Sequence, residues 1–213
     1  MSAWTAAWGL ACGPRRGSSV AEPLTPRGRQ IVAAARELLE QQGPAALTMR
    51  RLADRLGIRA PSLYKHLPDK AALEAAIIET GFEDAAAAFE QALDGATEPL
   101  ASLAAAYRSF ALAHPHLYRL MTDQPLPRDR LPPGLEDRTA APLLHATGDP
   151  QLARAVFAFA HGMVLLELTR RLPADGDPQA AWEEGIAAFQ ARATARDSKL
   201  RTTTEPPLAV PPP

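Results

Sequence analysis

Apolar side chains recur along the chain at intervals of three and four residues, the spacing that places them on one face of an α-helix. Ile31, Ala35 and Leu38 form the first such stripe. Thr25 is a suitable N-cap for this helix, and Pro26 suits its first position, where a backbone N–H has no partner to lose. Gly43 favours its end. The pattern therefore predicts a first helix that runs between Pro26 and Gly43.

The next apolar segments are short and are separated by glycine or proline, which favours short helices joined by turns. Thr48 is a suitable N-cap and Gly57 a suitable end for the second helix, and Pro61 suits the start of the third. Asp69 caps a longer helix that follows. After the second helix, the pattern predicts helices at about 62–67, 69–93, 98–113, 115–122, 150–171 and 178–195, with a proline-rich loop at 125–134.

The composition favours helices over sheets. Hydrophobic residues make up 46% of the chain; alanine dominates them, and valine and isoleucine are scarce. Alanine has the highest helix propensity, whereas strands need β-branched residues. The chain is therefore predicted to be all-α. Residues 1–23 and 201–213 are rich in small residues or proline and are predicted to be a disordered arm and a disordered tail.

Charge is divided unevenly along the chain. Residues 24–70 contain nine basic and four acidic side chains, whereas the remainder contains 14 basic and 20 acidic ones. A basic unit joined to an acidic body is typical of a DNA-binding protein, although a chance asymmetry of a mixed surface gives the same numbers. We call residues 24–70 the head and residues 71–200 the body.

Several kinds of site are not expected. Cys12 is the single cysteine, so an internal disulfide and a cysteine-based zinc site are excluded. His114 and His116 are two residues apart and make a poor metal pair on a helix, and His145 lies in a stretch interpreted as a loop. No cofactor fingerprint, metal site, signal peptide or membrane-spanning run is recognised, which favours a cytoplasmic protein that needs no cofactor.

Residues 48–67 read TMRRLADRLGIRAPSLYKHL and form a candidate helix-turn-helix. In this motif two short helices cross at a glycine-containing turn, and the second lies in the major groove of DNA. Ala53 is small enough for a close crossing, and Gly57 can adopt a positive φ. The expected core beneath the two helices consists of Leu52, Leu56, Ile58, Leu63 and Leu67.

The stretch TMRRLADRLGIRAPSLYKHLPDKAAL resembles the N-terminal domain of tetracycline-repressor (TetR) regulators. The matching positions are Thr48, Ala53, Gly57, Leu63, Tyr64, His66, Lys70 and Leu73. Leu67 replaces the phenylalanine that usually follows the histidine. The resemblance implies binding to double-stranded DNA through phosphate and base contacts. The expected DNA-binding residues are Thr48, Arg50, Arg59, Ala60, Ser62, Leu63, Tyr64, Lys65, His66 and Lys70.

The body resembles the WHG subgroup of the same family through FALAHPHLYRLM (110–121) and FAFAHGMVLLEL (157–168), with His161-Gly162 at the expected place and Phe157 instead of the expected tryptophan. The resemblance implies a homodimer and an effector cavity between helices, although the helix at 150–171 would also suit the centre of a monomeric bundle. The expected interface residues are Val156, Phe159, Met163, Leu166, Trp182, Ile186 and Phe189. The expected cavity residues, each of which fits an ordinary core position better than a ligand contact, are Tyr107, Phe110, Leu120, Met121, Phe157 and His161.

The resemblance favours a ligand-responsive repressor that binds a palindromic operator as a dimer and is released by a small, largely apolar molecule. An activator or a ligand-independent DNA-binding factor would share the same head. An enzyme or carrier that uses the helical body is the alternative from another class, and no catalytic motif supports it.

Overall fold

The computed structural model describes residues 24–173 and 175–204, and the helices in these ranges confirm the predicted all-α fold. A short 3₁₀ turn at Pro44–Ala46 follows the first helix. Within the described ranges the α-helices are α1 (Pro26–Gln42), α2 (Met49–Arg55), α3 (Ala60–Leu63), α4 (Lys70–Leu93), α5 (Pro99–Ala113), α6 (Pro115–Thr122), α7 (Leu135–Thr147), α8 (Pro150–Leu168) and α9 (Pro178–Thr204).

Three helices of the N-terminal part begin at the predicted caps. The hydroxyl of Thr25 accepts a hydrogen bond from the N–H of Gly28 at the start of α1. Thr48 caps α2 and Asp69 caps α4 in the same way. Each side chain satisfies a backbone donor that has no partner inside its own helix, so short polar residues define these helix starts.

The structure corrects the sequence prediction between residues 135 and 147. This segment forms α7, and His145 is an exposed residue of that helix, not part of a loop. Pro142 lies inside α7, a position that normally disfavours a helix because proline has no N–H. The acidic residues Glu136 and Asp137 in its first turn favour a helix start through the helix dipole.

Three helix ends also differ from prediction. Helix α3 ends at Leu63 and continues as a turn, in which the N–H of His66 bonds the Leu63 carbonyl at 2.9 Å. Helix α8 ends at Leu168, before Arg170 adopts a φ of 53°. Helix α9 extends to Thr204, into the predicted tail, because its first following proline is residue 206. The arm at 1–23 and residues 205–213 lie outside the described residues.

The described helices group into two compact units, which divide after Pro142. In the first unit, α1 packs against α2, α4 and α6, and α5 packs along α4. The head and α4 thus share one hydrophobic core. The fully buried side chains of this core include Ile31, Leu39, Leu52, Leu63, Leu73, Ile77 and Leu117. The functional boundary between head and body at residue 70 stays a prediction.

The second unit is built on the contact between α8 and α9. The ring of Phe159 meets Trp182 and Phe189 edge to face, with centroids 5.6 and 5.7 Å apart. The indole N–H of Trp182 donates to Glu167 at 2.7 Å. Gly185 lies directly beneath Phe159, since an added Cβ there would be 2.2 Å from the ring Cζ. These aromatic residues therefore hold the two helices of one subunit together.

Helix α8 is long and apolar enough to cross a membrane by length and composition, with a mean hydropathy of 1.3. The core helix of a soluble protein has the same properties. Helix α8 carries Gln151, Arg154 and Glu167, and its aromatic side packs on α9. It is therefore a packing helix of the body, not a membrane span.

We predict that Gly185→Ala destabilises the protein although alanine is the better helix former. Alanine contributes about 1 kcal/mol through helix propensity, whereas overpacking against Phe159 costs about 1–3 kcal/mol. The expected result is a lower urea midpoint at fixed protein concentration. The double variant Phe159→Leu/Gly185→Ala tests the cause. Its loss of unfolding free energy should be smaller than the sum of the losses in the two single variants. Additive losses would show that the ring contact is not responsible.

Candidate nucleic-acid interface

Helices α2 and α3 meet at a tight turn. Gly57 adopts a φ of 64°, a left-handed conformation that favours glycine. The N–H of Ile58 bonds the carbonyl of Ala53 at 3.0 Å, which closes the end of α2. Ala53 is 2% exposed, and its small side chain lets the two helices approach. The predicted helix-turn-helix geometry therefore rests on the residues that the sequence indicated.

The inner face of this pair is anchored in the hydrophobic core. Leu52 and Leu63 are 0% exposed and Leu67 is 3% exposed. Leu63 was expected among the DNA-binding residues, and the structure corrects this expectation because a fully buried side chain cannot contact DNA in this conformation. Ala60 is partly buried against the same core. The core contact fixes which side of α3 faces the solvent.

The opposite side of the pair is polar and exposed. Tyr64 keeps 50% of its surface accessible, an unusual exposure for a large aromatic side chain. Ser62 and His66 are partly buried beside it. Thr48, Arg50, Arg59, Lys65 and Lys70 are exposed. Apart from Leu63 and the partly buried Ala60, the structure thus brings the predicted DNA-binding residues to the surface around α2 and α3.

The cations of this surface differ in their partners. Among the described residues, Arg50, Arg59 and Lys65 form no ion pair within 4.0 Å. Arg55 instead donates to Glu37 at 2.8 Å and to Gln41, both on α1. Arg51, which the sequence analysis did not select, is also exposed and lacks an ion pair among the described residues. The position of Arg51 beside Arg50, in the first turn of the helix capped by Thr48, could have indicated it as a candidate DNA contact.

His66 is positioned by the cap of α1. Its Nδ1 lies 3.4 Å from the hydroxyl of Thr25, which already accepts a hydrogen bond from Gly28. When the Thr25 hydroxyl donates its hydrogen to Nδ1, Nε2 carries the ring hydrogen and can donate to an anion. No pattern in the sequence indicates this role of Thr25, because 41 residues separate the two side chains.

The N-terminus of α4 completes this surface. The backbone N–H of Ala72, and then the guanidinium of Arg130, hold the pKa of the Asp69 carboxyl below its usual value. Arg130 approaches Asp69 to 2.9 Å from the loop before α7. Lys70 pairs with Glu74 at 3.1 Å, an exposed contact of small energy that a phosphate could replace.

The expected cavity residues fall in both units. In the first unit the hydroxyls of Tyr107 and Tyr118 are 2.7 Å apart, and burial raises the pKa of Tyr118 to about 12. Phe110 belongs to the core of this unit, and Leu120 and Met121 pack against it. In the second unit Phe157 stacks on His161 with centroids 6.0 Å apart.

The expected interface residues are covered to different degrees within one chain. Val156, Met163, Trp182 and Ile186 are at most 8% exposed, and Phe159 and Phe189 contact each other. Leu166 is 37% exposed. Most of this set therefore packs inside the subunit before any partner approaches.

The described residues contain no group of three His, Cys, Asp or Glu side chains that could hold a metal ion.

Comparison with known proteins places both parts of the chain. Residues 31–77 match the family model described as bacterial regulatory proteins, tetR family. Residues 100–189 match the model described as tetracyclin repressor-like, C-terminal domain. The WHG subgroup stays a prediction.

The chain is also similar to individual proteins. It is 33% identical over 170 residues to the uncharacterized HTH-type transcriptional regulator Rv0681 of Mycobacterium tuberculosis, an alignment that covers 73% of this chain and 78% of that protein. A protein of unknown function from Rhodococcus sp. RHA1 superimposes with a TM-score of 0.63 at 26% identity, over 79% of this chain and 96% of that one.

A third similar protein is a single-residue variant of TetR from Acinetobacter baumannii AYE, solved in complex with minocycline. It superimposes with a TM-score of 0.54 at 26% identity, over 76% of this chain and 93% of that one. The two family matches, the relative in M. tuberculosis and the geometry of the head agree: the chain belongs to the TetR family of DNA-binding transcriptional regulators.

Proposed function

We propose that the protein is a repressor that binds a palindromic operator as a homodimer and releases it when a small, largely apolar molecule binds in the body. The observation that carries this proposal is the exposed set Arg59, Tyr64 and Lys65, held on a fully buried Leu63. Cations without internal partners on a rigid support suit DNA, because they need not break an ion pair to meet it. The same function places the protein with DNA in the cytoplasm.

The head divides its contacts between phosphates and bases. Thr48, Lys70 and Arg50 lie at or near the starts of α2 and α4, where backbone N–H groups also attract phosphate. Tyr64 and the Nε2–H of His66 supply further donors to the backbone of DNA. Arg59, Ala60, Ser62 and Lys65, on and beside the short α3, would face the base edges in the major groove.

We infer that the two subunits meet through the exposed, small side chains of α8 and α9. Ala155 and Ala158 lie on the exposed side of α8. On α9, Ala181, Ala188 and Ala195 recur every seven residues and are exposed, along one side of the helix. A groove lined by Ala155, Ala195 and their neighbours runs between the two helices.

Charged residues border the alanine row of α9, because Glu184 and Arg192, each four residues from Ala188, are exposed on the same side of the helix. Glu183 and Thr194 are exposed farther around the helix. Small side chains let helices of two subunits approach closely, as a four-helix contact requires. Among the seven residues expected at the interface from the sequence, Leu166 is the one with a well-exposed side chain in the described chain. Leu166 therefore suits the contact face of α8.

The effector would be a molecule with a large apolar surface and few polar groups. Phe89 stacks on Tyr107 of the Tyr107–Tyr118 pair, and Phe89, Leu120 and Met121 pack against the apolar core that contains Phe110. Burial raises the pKa of both tyrosines, so their hydroxyls stay neutral at physiological pH and act as hydrogen-bonding groups. The minocycline complex of the A. baumannii protein supports a small-molecule site in a body of this fold.

The first experiment selects bound sequences from a random pool of DNA duplexes with the full-length protein. We expect an inverted repeat whose half-sites are about one helical turn apart, or a multiple of it, because a two-fold symmetric dimer presents two heads. Enrichment of no sequence over the starting pool would contradict the proposed function. A reporter gene placed behind the selected site then distinguishes repression from activation.

We predict that Lys65→Ala and Arg59→Ala weaken binding to the selected operator. Loss of a phosphate contact should make the slope of the log binding constant against log salt concentration shallower by about one unit. Loss of a base contact should weaken the free energy of binding by about 1–3 kcal/mol. Fluorescence anisotropy at several salt concentrations measures both. Arg171→Ala removes an exposed cation at the end of α8 and should leave the operator affinity unchanged. Equal losses in all three variants would argue against a contact specific to the head.

We predict that Ala188→Glu dissociates the dimer. A glutamate there brings a larger, charged side chain from each subunit into a seam that only small side chains allow to pack closely. Sedimentation velocity should show monomers at concentrations where the wild type is dimeric. Ala187→Glu introduces the same side chain at the adjacent exposed position, about 100° around the helix, and should leave dimers intact. Intact Ala188→Glu dimers would place the interface elsewhere.

A further inference from the structure

Helix α6 begins without a capping side chain of its own. His114 precedes it and makes no capping hydrogen bond, and Pro115 has no N–H. The N–H of Leu117, in the first turn, is instead bound by Glu40 of α1, whose Oε1 accepts it at 2.9 Å. A carboxylate at this end is favoured both by the hydrogen bond and by the helix dipole. A helix of the head therefore supplies the cap of a helix of the body.

The end of α1 packs against the same turn of α6. The ring of His116 lies over Gly43, where an added Cβ would be 3.5 Å from Cε1. Gly43 adopts a φ of 77°, so a larger residue would be strained there in any case. The Nδ1 atom of His116 is buried and has no hydrogen-bond partner among the described residues. This contact gives shape complementarity, and the Glu40 carboxylate adds a directional bond to it.

The other side of the same turn is fixed by α4, the helix that leads from the head into the body. Leu117 is 0% exposed, and its Cδ1 would lie 3.1 Å from a Cβ at Gly81. The sulfur of Met121, one turn later, would lie 2.7 Å from the same added atom. Leu117 is thus held through its N–H by α1 and through its side chain by α4, so a shift of α6 must disturb both helices that orient the head.

The groups of α1 that reach the body form one stripe. Arg36 pairs with Asp84 of α4, Glu40 caps α6, and Gly43 receives His116. Their spacing of four and three residues places them on one face of α1. Glu37 lies on another face and pairs with Arg55 inside the head. Contacts with the body are therefore separated from the contacts that hold the head together.

We propose that Glu40 is a positioning residue that couples the head to the body, because its bond to Leu117 exists only when α6 lies in the arrangement seen here. The proposal rests on the proposed function, since it names the contact through which an effector in the body would change operator binding. Linkage is reciprocal, so operator DNA bound to the head must also stabilise this arrangement of α6. That consequence is measurable without a known effector.

The test is hydrogen exchange of the full-length dimer, with and without the operator duplex obtained by selection. In the wild type, operator should slow the exchange of amides in 115–122 severalfold. Glu40→Ala removes the acceptor and should speed their exchange about tenfold in the free protein. It should also abolish the response of α6 to DNA, while the operator is still bound. Amides of α8 should exchange as in the wild type.

Two matched variants separate coupling from a general loss of stability. Glu40→Gln keeps an oxygen acceptor and should recover most of the response of α6 to DNA. Glu37→Ala removes a carboxylate one turn away that bonds only Arg55 among the described residues, and should leave the response unchanged. Loss of the response in Glu37→Ala to the same extent would overturn a specific role of Glu40.

The binding isotherm of the same samples distinguishes failure of this proposal from failure of the proposed function. A wild type that binds operator but shows no change in α6 overturns the coupling and leaves the DNA-binding function intact. A Glu40→Ala variant that keeps the full response of α6 also overturns the coupling. A wild type that binds no DNA sequence specifically overturns both.

Discussion

The structure of the first unit depends on the burial of α1. Its apolar face, with Ile31, Ala35 and Leu39 completely covered, is the surface on which the helix-turn-helix and α4 both pack. A buried helix of 17 residues cannot tilt without opening contacts on several sides. The orientation of the DNA-reading surface is therefore set by helices packed around α1, and not by the short α3 itself.

Local signals in the sequence predicted most of the head because its helix starts are local. Thr25, Thr48 and Asp69 each bond an N–H three residues later, and Gly57 needs its positive φ for a turn of a few residues. Such features are readable from residue type and spacing. Helix α7 was missed because the penalty of Pro142 is also local, whereas the packing that stabilises the helix is not.

The candidate site was predictable to the extent that side-chain direction follows from helical periodicity. Periodicity indicated Leu63 as a core residue, whereas the family pattern included it among DNA contacts, and the structure supports periodicity. The links of Thr25 to His66 and of Glu40 to Leu117 span 41 and 77 residues. No sequence pattern in a single chain reports such contacts, because they depend on how separate helices pack.

The ion pairs formed by cations of the head have a consequence for how the protein distinguishes its operator from other DNA. Arg36, Arg55 and Lys70 are paired with Asp84, Glu37 and Glu74, so part of the head's positive charge is neutralised within the molecule. A head with fewer uncompensated cations stays for a shorter time at each of the many wrong sequences that it meets. Discrimination in favour of the operator then depends more on the fit to the bases than on total charge.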